Sequence, residues 1–580
     1  MQYKRPNVFT KYFWIRISLS ICVFVCGSLA AQEKKAAPPP TTIDVKVDTA
    51  TVKKDDSKSE KQTKASQKEN LKLPDVMIYG KDTTKHVGGE KKTIENDKLE
   101  LVKPNAVYDP MQLSDVDQGR RQSIEKEKSG KYQHAEGRLY AGQFTQWGGG
   151  TNLWMATPEV DLEFDASYTH SDGEVTNQTS RLFDAGFAIG LLKPGLRLRA
   201  RHRDHDFGLY GAIADTAERN ITFNQLALSA KSNFRFGISG KANIQYDLIS
   251  LRDLQFIPAL TDKRKSIKSD FELNKKIDRF NFQLTGSGLF VRSNEDSTNN
   301  GFFNWGNLLW KTKMLISDKL ITDIALGVSA LQFENGNRES KPDFEVGVIY
   351  VPSAKASVKS NFIKGYRYND WQKLIAQNIY LTPDLPAQIE EVNWGVEVKL
   401  DWRVNQKLTF YSNYSLRSVD NFHYFERDTS GLFNALAIDL TQRLFSIGAR
   451  FKLNEKMLID GKLELEDFNF RNSDMVIDKI ASNEVPYFPK LQIPLKFVYH
   501  PMEKIEFAAE AVFVGERSYS LIDKNKLDAY TDISTSAYFH INEHFSVFAE
   551  GKNLTNSHHQ IWQGYEVVGS NFLAGLHAAW

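Results

Sequence analysis

The chain has 580 residues, 41% of them hydrophobic and 12% aromatic, with a formal net charge of +2. No global field points to nucleic acid or acidic ligands. A mean hydropathy of −0.44 excludes a bundle of membrane-spanning helices, though not a β-barrel, whose strands are apolar on one face only.

The N-terminus reads as a secretory signal over residues 1–31. Lys4, Arg5 and Lys11 supply positive charge, Ile17 to Val25 the apolar stretch, and Ser28-Leu29-Ala30-Ala31 small residues for cleavage. The run is too short to span a bilayer. Both cysteines, Cys22 and Cys26, fall inside it, and neither follows a small residue as a lipoprotein cysteine does. The mature chain is therefore expected to carry no thiol and no disulfide. No later stretch approaches eighteen uninterrupted apolar residues.

Residues 32–70 are mostly charged, hydroxyl or Pro residues, with Pro38-Pro39-Pro40 near the start. Too few apolar groups are present to offset chain entropy, so a disordered periplasmic tether is expected. One apolar island, Leu71 to Gly80, interrupts the polar sequence, which continues to Gln133. The extension is assigned to residues 32–136.

From Gly137 onward apolar and polar residues alternate. Val160, Leu162, Phe164, Ala166 and Tyr168 interleave with Asp161, Glu163, Asp165, Ser167 and Thr169. Val392, Trp394, Val396, Val398, Leu400, Trp402 and Val404 do the same, as do Ile505, Phe507, Ala509, Ala511 and Phe513. Period two is the signature of strands with one apolar and one polar face. Trp394 and Trp402 share a face, and eight tilted residues separate them by roughly 20 Å along a membrane normal, close to the height of a lipid-facing band.

Short turns recur at 157–159, 193–195, 236–239, 276–278, 317–319, 352–355, 405–406, 454–455, 501–503 and 542–544. Longer connections lie between them. This asymmetry predicts an all-β, transmembrane antiparallel barrel over residues 137–580, with about 22 strands and both termini periplasmic. A first strand is expected near 137–145. The closing strand is expected to present Phe572, Ala574, Leu576, Ala578 and Trp580 on one face. The expected location is the cell outer membrane, with its lipid and the barrel-assembly machinery as partners.

The C-terminal pattern carries a family resemblance. Leu491 to Gly515 forms two strands about His500-Pro501-Met502, and Tyr530 to His540 a third. Phe545 to Asn556 follows, containing Asn553-Leu554-Thr555-Asn556, then Trp562-Gln563-Gly564-Tyr565 and the closing strand. This resembles the barrel of TonB-dependent outer-membrane receptors. The resemblance implies solute uptake or reception. It also marks Leu73, Pro74, Asp75, Val76, Met77, Ile78 and Tyr79 as similar to a TonB box, a segment that adds as a strand to a TonB-type periplasmic protein. The alternative is a sticky patch in the tail or a strand packed in the lumen. The family plug is a globular domain of well over a hundred residues. The charged stretch between Lys81 and Gly137 is too short for one, so the chain resembles a receptor barrel without its own plug. A plugless scaffold, a barrel that binds a separate plug or envelope partner, and a passive pore remain as alternatives.

Little chemistry is legible. Arg201-His202-Arg203-Asp204-His205-Asp206 is the densest titratable cluster, and it reads as a charged strand end rather than a metal site. His558-His559 sits in an outer loop. No Gly-x-Ser-x-Gly elbow is present, and Glu464, Glu466 and Glu510 read as a wet inner wall. No cofactor, no catalytic residue and no nucleic-acid partner is assigned. The loop 367–390 is unusually apolar, with Tyr368, Trp371 and Tyr380 as outer-loop candidates. It either folds over the pore, docks a surface partner, or packs on neighbouring loops.

Overall fold

Alternation of this length drives strand formation, because each strand buries nothing alone and must pair on both edges. The computed structural model describes residues 132–191, 193, 195–212, 216–254, 261–293, 302–333, 336–369, 371–383, 388–471 and 484–580. The leader, the tether and Leu73–Tyr79 lie outside them.

The strands in chain order are β1 Tyr132–Gly142, β2 Trp147–Ala156, β3 Val160–Ser171, β4 Ser180–Leu191, β5 Leu196–Gly208, β6 Glu218–Asn233 and β7 Ile238–Leu254. Then come β8 Thr261–Ile277, β9 Phe280–Ser293, β10 Phe302–Ser317, β11 Leu320–Gln332, β12 Arg338–Ser353 and β13 Ala356–Asn369. A short helix, α1 (Trp371–Gln377), leads to β14 Gln388–Arg403, β15 Leu408–Arg427, β16 Phe433–Asn454 and β17 Met457–Phe470. The last group is β18 Leu491–Met502, β19 Ile505–Val514, β20 Arg517–Ser518, β21 Lys526–Leu527, β22 Tyr530–His540, β23 Phe545–Lys552, β24 Gln560–Trp562, β25 Tyr565–Glu566 and β26 Asn571–Ala579.

Twenty-two of these strands form one antiparallel sheet that closes where β26 pairs with β1. The remaining four make two ribbons, β20–β21 and β24–β25, inside the outer connections. Closure leaves no edge to desolvate in lipid, the condition for a membrane-spanning sheet. The ten short turns fall where the spacing places them, each between paired neighbours. Asn405 and Asn542 accept backbone N–H groups of the following residues and so shape two of them.

The outer face is oily. Leu139 is 67% and Leu576 60% exposed, and Trp394 and Trp402 emerge on the same side at 38% and 47%. The opposite face is charged, and its ions pair across strands: Arg197 with Asp161 and Glu163, Lys311 with Glu345, Lys496 with Glu510. This is a lipid-facing wall around a polar interior, an outer-membrane type of barrel.

The first strand differs from expectation. β1 begins at Tyr132 and stops at Gly142, five residues before Gly137 and three before residue 145. Phe144 and Thr145 turn with φ of 54° and 51°, a left-handed conformation that ends a strand. The wall is also uneven in height. β15 and β16 run for 20 and 22 residues, whereas β23 and β26 have 8 and 9.

Candidate gate at the outer mouth

Three outer connections leave the wall at nearly equal intervals. They follow β5, β13 and β23. Six wall strands lie between β6 and β13, six between β14 and β23, and four between β26 and β5. At about 4.8 Å per strand such a ring is on the order of 40 Å wide, so connections from these points touch only if they cross the mouth.

They do touch, through three tyrosines. Tyr380 from the connection after β13 stacks on Tyr565 from the connection after β23, with ring centroids 3.6 Å apart. Tyr210, from the connection after β5, stands edge-on to both, at 5.3 Å from Tyr565 and 6.5 Å from Tyr380. The Tyr210 hydroxyl donates to the Glu566 carbonyl at 2.6 Å, and the Tyr565 hydroxyl to that of Gly431 at 3.3 Å. Burial pushes all three phenols above their ordinary range, so each stays a neutral donor at any physiological pH.

A larger apolar core surrounds this centre. Trp371, Leu374 and Ile375 of α1 enter it together with Leu432, Phe433, Tyr487, Leu527 and Trp562. Tyr487 and Trp562 approach to 4.7 Å, and Phe433 meets Trp562 edge-on at 5.3 Å. Edge-on and offset contacts are the favourable aromatic arrangements. Residues of α1 repeat at helical spacing, which turns its apolar side toward this core.

Wall residues hold the cap down. Arg219 on β6 and Asp253 on β7 are fully buried, each with 0% side-chain exposure. The guanidinium donates two bonds to the carboxylate, at 2.6 and 2.7 Å. Its remaining amine donates to the carbonyls of Ile379 at 2.7 Å and Leu381 at 2.6 Å. One side chain thus satisfies the backbone on either side of Tyr380. Arg427 donates to the Gly211 carbonyl at 2.5 Å, and Arg264 lies 4.4 Å over the Trp371 ring. Leu381 pairs in parallel with Phe433, and Thr382 N–H donates to the Phe433 carbonyl at 2.7 Å. Packing is tight enough to require glycine at Gly564, where φ is +85° and a Cβ would lie 2.9 Å from an Arg427 amine.

The loop candidates separate. Trp371 and Tyr380 belong to this cap, whereas Tyr368 stacks on Phe303 at 5.2 Å in a separate cluster with Leu289, Leu331 and Ile389. Trp371 and Tyr380 pack on residues of neighbouring outer connections. The Arg-His cluster of β5 is divided between the two faces: Arg201 and Arg203 share Asp184 at 2.7 and 2.5 Å, while His202 meets Asn224 at 2.8 Å. His559 stacks on Tyr530 at 3.6 Å, and burial lowers it to about 4; His558 lies toward Glu174 at 3.9 Å. Glu466 accepts from Gln442 at 2.6 Å, and Glu464 pairs with Lys462. In the closing strand Phe572 and Trp580 are exposed and Leu573 is buried against Tyr140 and Phe548.

Sequence reasoning did not find Arg219, Asp253 or Tyr210. Gly564-Tyr565 was visible as a Gly-aromatic element, and it forms the turn of the β24–β25 ribbon that carries Tyr565 into the cap.

No family model matches the sequence, and no curated protein does. Solved structures do match. The copper transporter OprC superposes with a TM-score of 0.63 at 12% identity, covering 78% of this chain and 81% of that one. The FrpB iron transporter from Neisseria meningitidis gives 0.63 at 10%, covering 79% and 83%. The siderophore receptor PiuA from Acinetobacter baumannii gives 0.60 at 10%, covering 78% and 82%. The chain has the barrel fold of TonB-dependent receptors. At these identities the likeness is one of architecture. The tyrosine-centred cap of this receptor-type barrel is read from its own contacts.

Proposed function

We propose that this receptor-type barrel takes up a solute across the outer membrane through a mouth that its own loops keep shut. The observation that carries the reading is the meeting of Tyr210, Tyr380 and Tyr565 from three separate arcs of the wall. A permanently open pore has no use for a buried aromatic core across its entrance. A cap held by buried hydrogen bonds suits a barrel that opens on a signal, either solute on the outside or coupling from the periplasm. The fold shared with copper, iron and siderophore transporters supports an uptake role.

In this reading Leu73–Tyr79 couples the barrel to a TonB-type protein by adding as a strand, and a separate partner supplies whatever plug the function requires. The purified protein in a planar bilayer should be silent, and Tyr380→Ala with Tyr565→Ala should give steady channels. Large conductance in the wild type would overturn the gate. Val76→Pro removes a backbone donor and should abolish binding to the TonB-type protein; unchanged binding would dispose of the coupling role.

A further inference from the structure

Arg517, on the ribbon strand β20, is a buried cation with 0% exposure. Its Nη2 donates to the Gln560 carbonyl of β24 at 2.8 Å, and its guanidinium carbon lies 5.1 Å from the Tyr530 ring centroid. Nε and Nη1 are buried without an acceptor among the described residues, and no carboxylate among them pairs with Arg517. Burial disfavours its charge, and the groups that favour it are the phenols of Tyr530 and Tyr487. Arg219, buried to the same degree, has Asp253. Acids of the surrounding connections are engaged elsewhere. Glu516 lies 3.9 Å from Lys526, Glu484 takes Lys490 and Lys526 at 3.0 Å each, and Glu426 accepts from Ser520 at 2.8 Å.

Two more donors meet it. Tyr487 N–H donates to the Ser518 carbonyl at 2.8 Å, which seats the tyrosine beside β20, and its ring lies 4.7 Å from that of Trp562 on β24. Tyr487 and Trp562 are 1% and 2% exposed. The Tyr487 hydroxyl and the Trp562 indole N–H are buried with no acceptor among the described residues. Buried polar groups are ordinarily paired, and a buried cation held by a single carbonyl is costly. All four of these atoms are donors. Their complement is a compact group of acceptors that carries negative charge. Lifting β24 from β20 breaks the bond between Arg517 and Gln560 and uncovers the guanidinium.

We propose that Arg517, Tyr487 and Trp562 form an anion-binding site that becomes accessible when the cap opens, and that a carboxylate or phosphate on the incoming solute is the signal that opens it. The inference rests on the reading of the cap as a gate. The shut cap leaves the cation under-paired, and the open cap presents it to the anion. A ligand that binds one state alone shifts the population toward that state. Arg517 supplies charge-assisted hydrogen bonds, and Tyr487 and Trp562 add one neutral donor each.

The test uses the full chain in a planar bilayer, in potassium chloride at constant ionic strength, with sodium phosphate or sodium citrate added to both sides as the probe. The wild type should be silent in chloride alone and should open at least about tenfold more often once millimolar phosphate or citrate is present. A response to one and not the other supports the site and names the group it takes. Arg517→Gln should stay silent in both, and Arg517→Lys, which keeps the charge, should recover part of the response. Trp562→Phe keeps a ring and removes the N–H, so it should need roughly fivefold more anion. It serves as the test if Arg517→Gln lacks the heat-modifiable migration of a folded barrel. A response equal to wild type in folded Arg517→Gln or Trp562→Phe overturns the site. A wild type silent in both anions, while Tyr380→Ala with Tyr565→Ala conducts, overturns the anion signal and leaves the gate intact. A wild type that conducts in chloride alone overturns the gate and this inference with it.

Discussion

Tyr380 and Tyr565 stack face to face at 3.6 Å, although six wall strands separate β14 from β23. The wall cannot bring them together. Each is delivered by its own connection, and the contact exists only while both connections lie across the mouth.

Removing one partner should therefore loosen the cap and spare the wall. Tyr380→Ala deletes a buried ring, a change that costs about 3–5 kcal/mol in a well-packed core. Limited proteolysis should cut within 371–383 at least tenfold faster. Heat-modifiable migration should persist. Loss of that migration would place Tyr380 in the stability of the barrel itself.

The buried ion pair gives a sharper result. Arg219→Ala leaves the Asp253 carboxylate without its partner and the Ile379 and Leu381 carbonyls without their donor. Breaking such a pair costs about 3–5 kcal/mol, whereas replacing both ions with apolar groups costs far less. Hydrogen exchange at 378–382 should rise strongly in Arg219→Ala. Arg219→Met with Asp253→Leu should recover part of the protection. Equal exchange in both variants would show that the ion pair does not hold the connection.

Acid should open the cap from one side. Burial lowers His559 to about 4 from an ordinary value of 6.5. The folded connection therefore favours neutral imidazole, while the freed connection takes up a proton below about 6.5. The stabilisation is complete above that value and is lost as pH falls toward 4. Hydrogen-exchange protection across 555–569, taken relative to the intrinsic amide rate at each pH, should fall between pH 7 and 4.5, and His559→Phe, which keeps a ring against Tyr530, should flatten the profile. The same loss of protection in His559→Phe would transfer the effect to another group.

Gly564→Ala tests the crowding of the ribbon. The substitution puts a Cβ at φ +85° and 2.9 Å from an Arg427 amine. The left-handed conformation alone costs roughly 1–2 kcal/mol. Channel openings in a planar bilayer should become frequent, with the conductance of each opening unchanged. A silent trace would show that the ribbon tolerates the strain.

The wall was legible because its signal is local and repeated. Val160 to Thr169 and Trp394 to Arg403 alternate without interruption, although a bulge between Val392 and Trp394 turns Val392 into a buried cluster, and Asn405 and Asn542 mark turns by side chains that bond the next backbone groups. The end of β1 was not legible, since nothing in Phe144 or Thr145 announces positive φ. The cap was only half legible. Tyr368, Trp371 and Tyr380 stood out as aromatics in an outer loop, but their destinations differ. Arg219 reaches Leu381 across 162 residues and Tyr210 reaches Glu566 across 356. Partners so far apart leave no periodic trace, and Asp253 reads like any other carboxylate of the inner wall until its burial is seen.

The uneven height of the cylinder bears on how it is made. β1 and β26 share seven paired positions, against eighteen between β15 and β16. Zipping the ring shut gains fewer than half the paired positions of the tallest seam, and unzipping it there costs correspondingly little. A folding catalyst that grips the chain before closure has only a brief contact to release, and sideways parting of the finished protein into the bilayer is easiest along this low side of the wall, where β22 and β23 share only six positions.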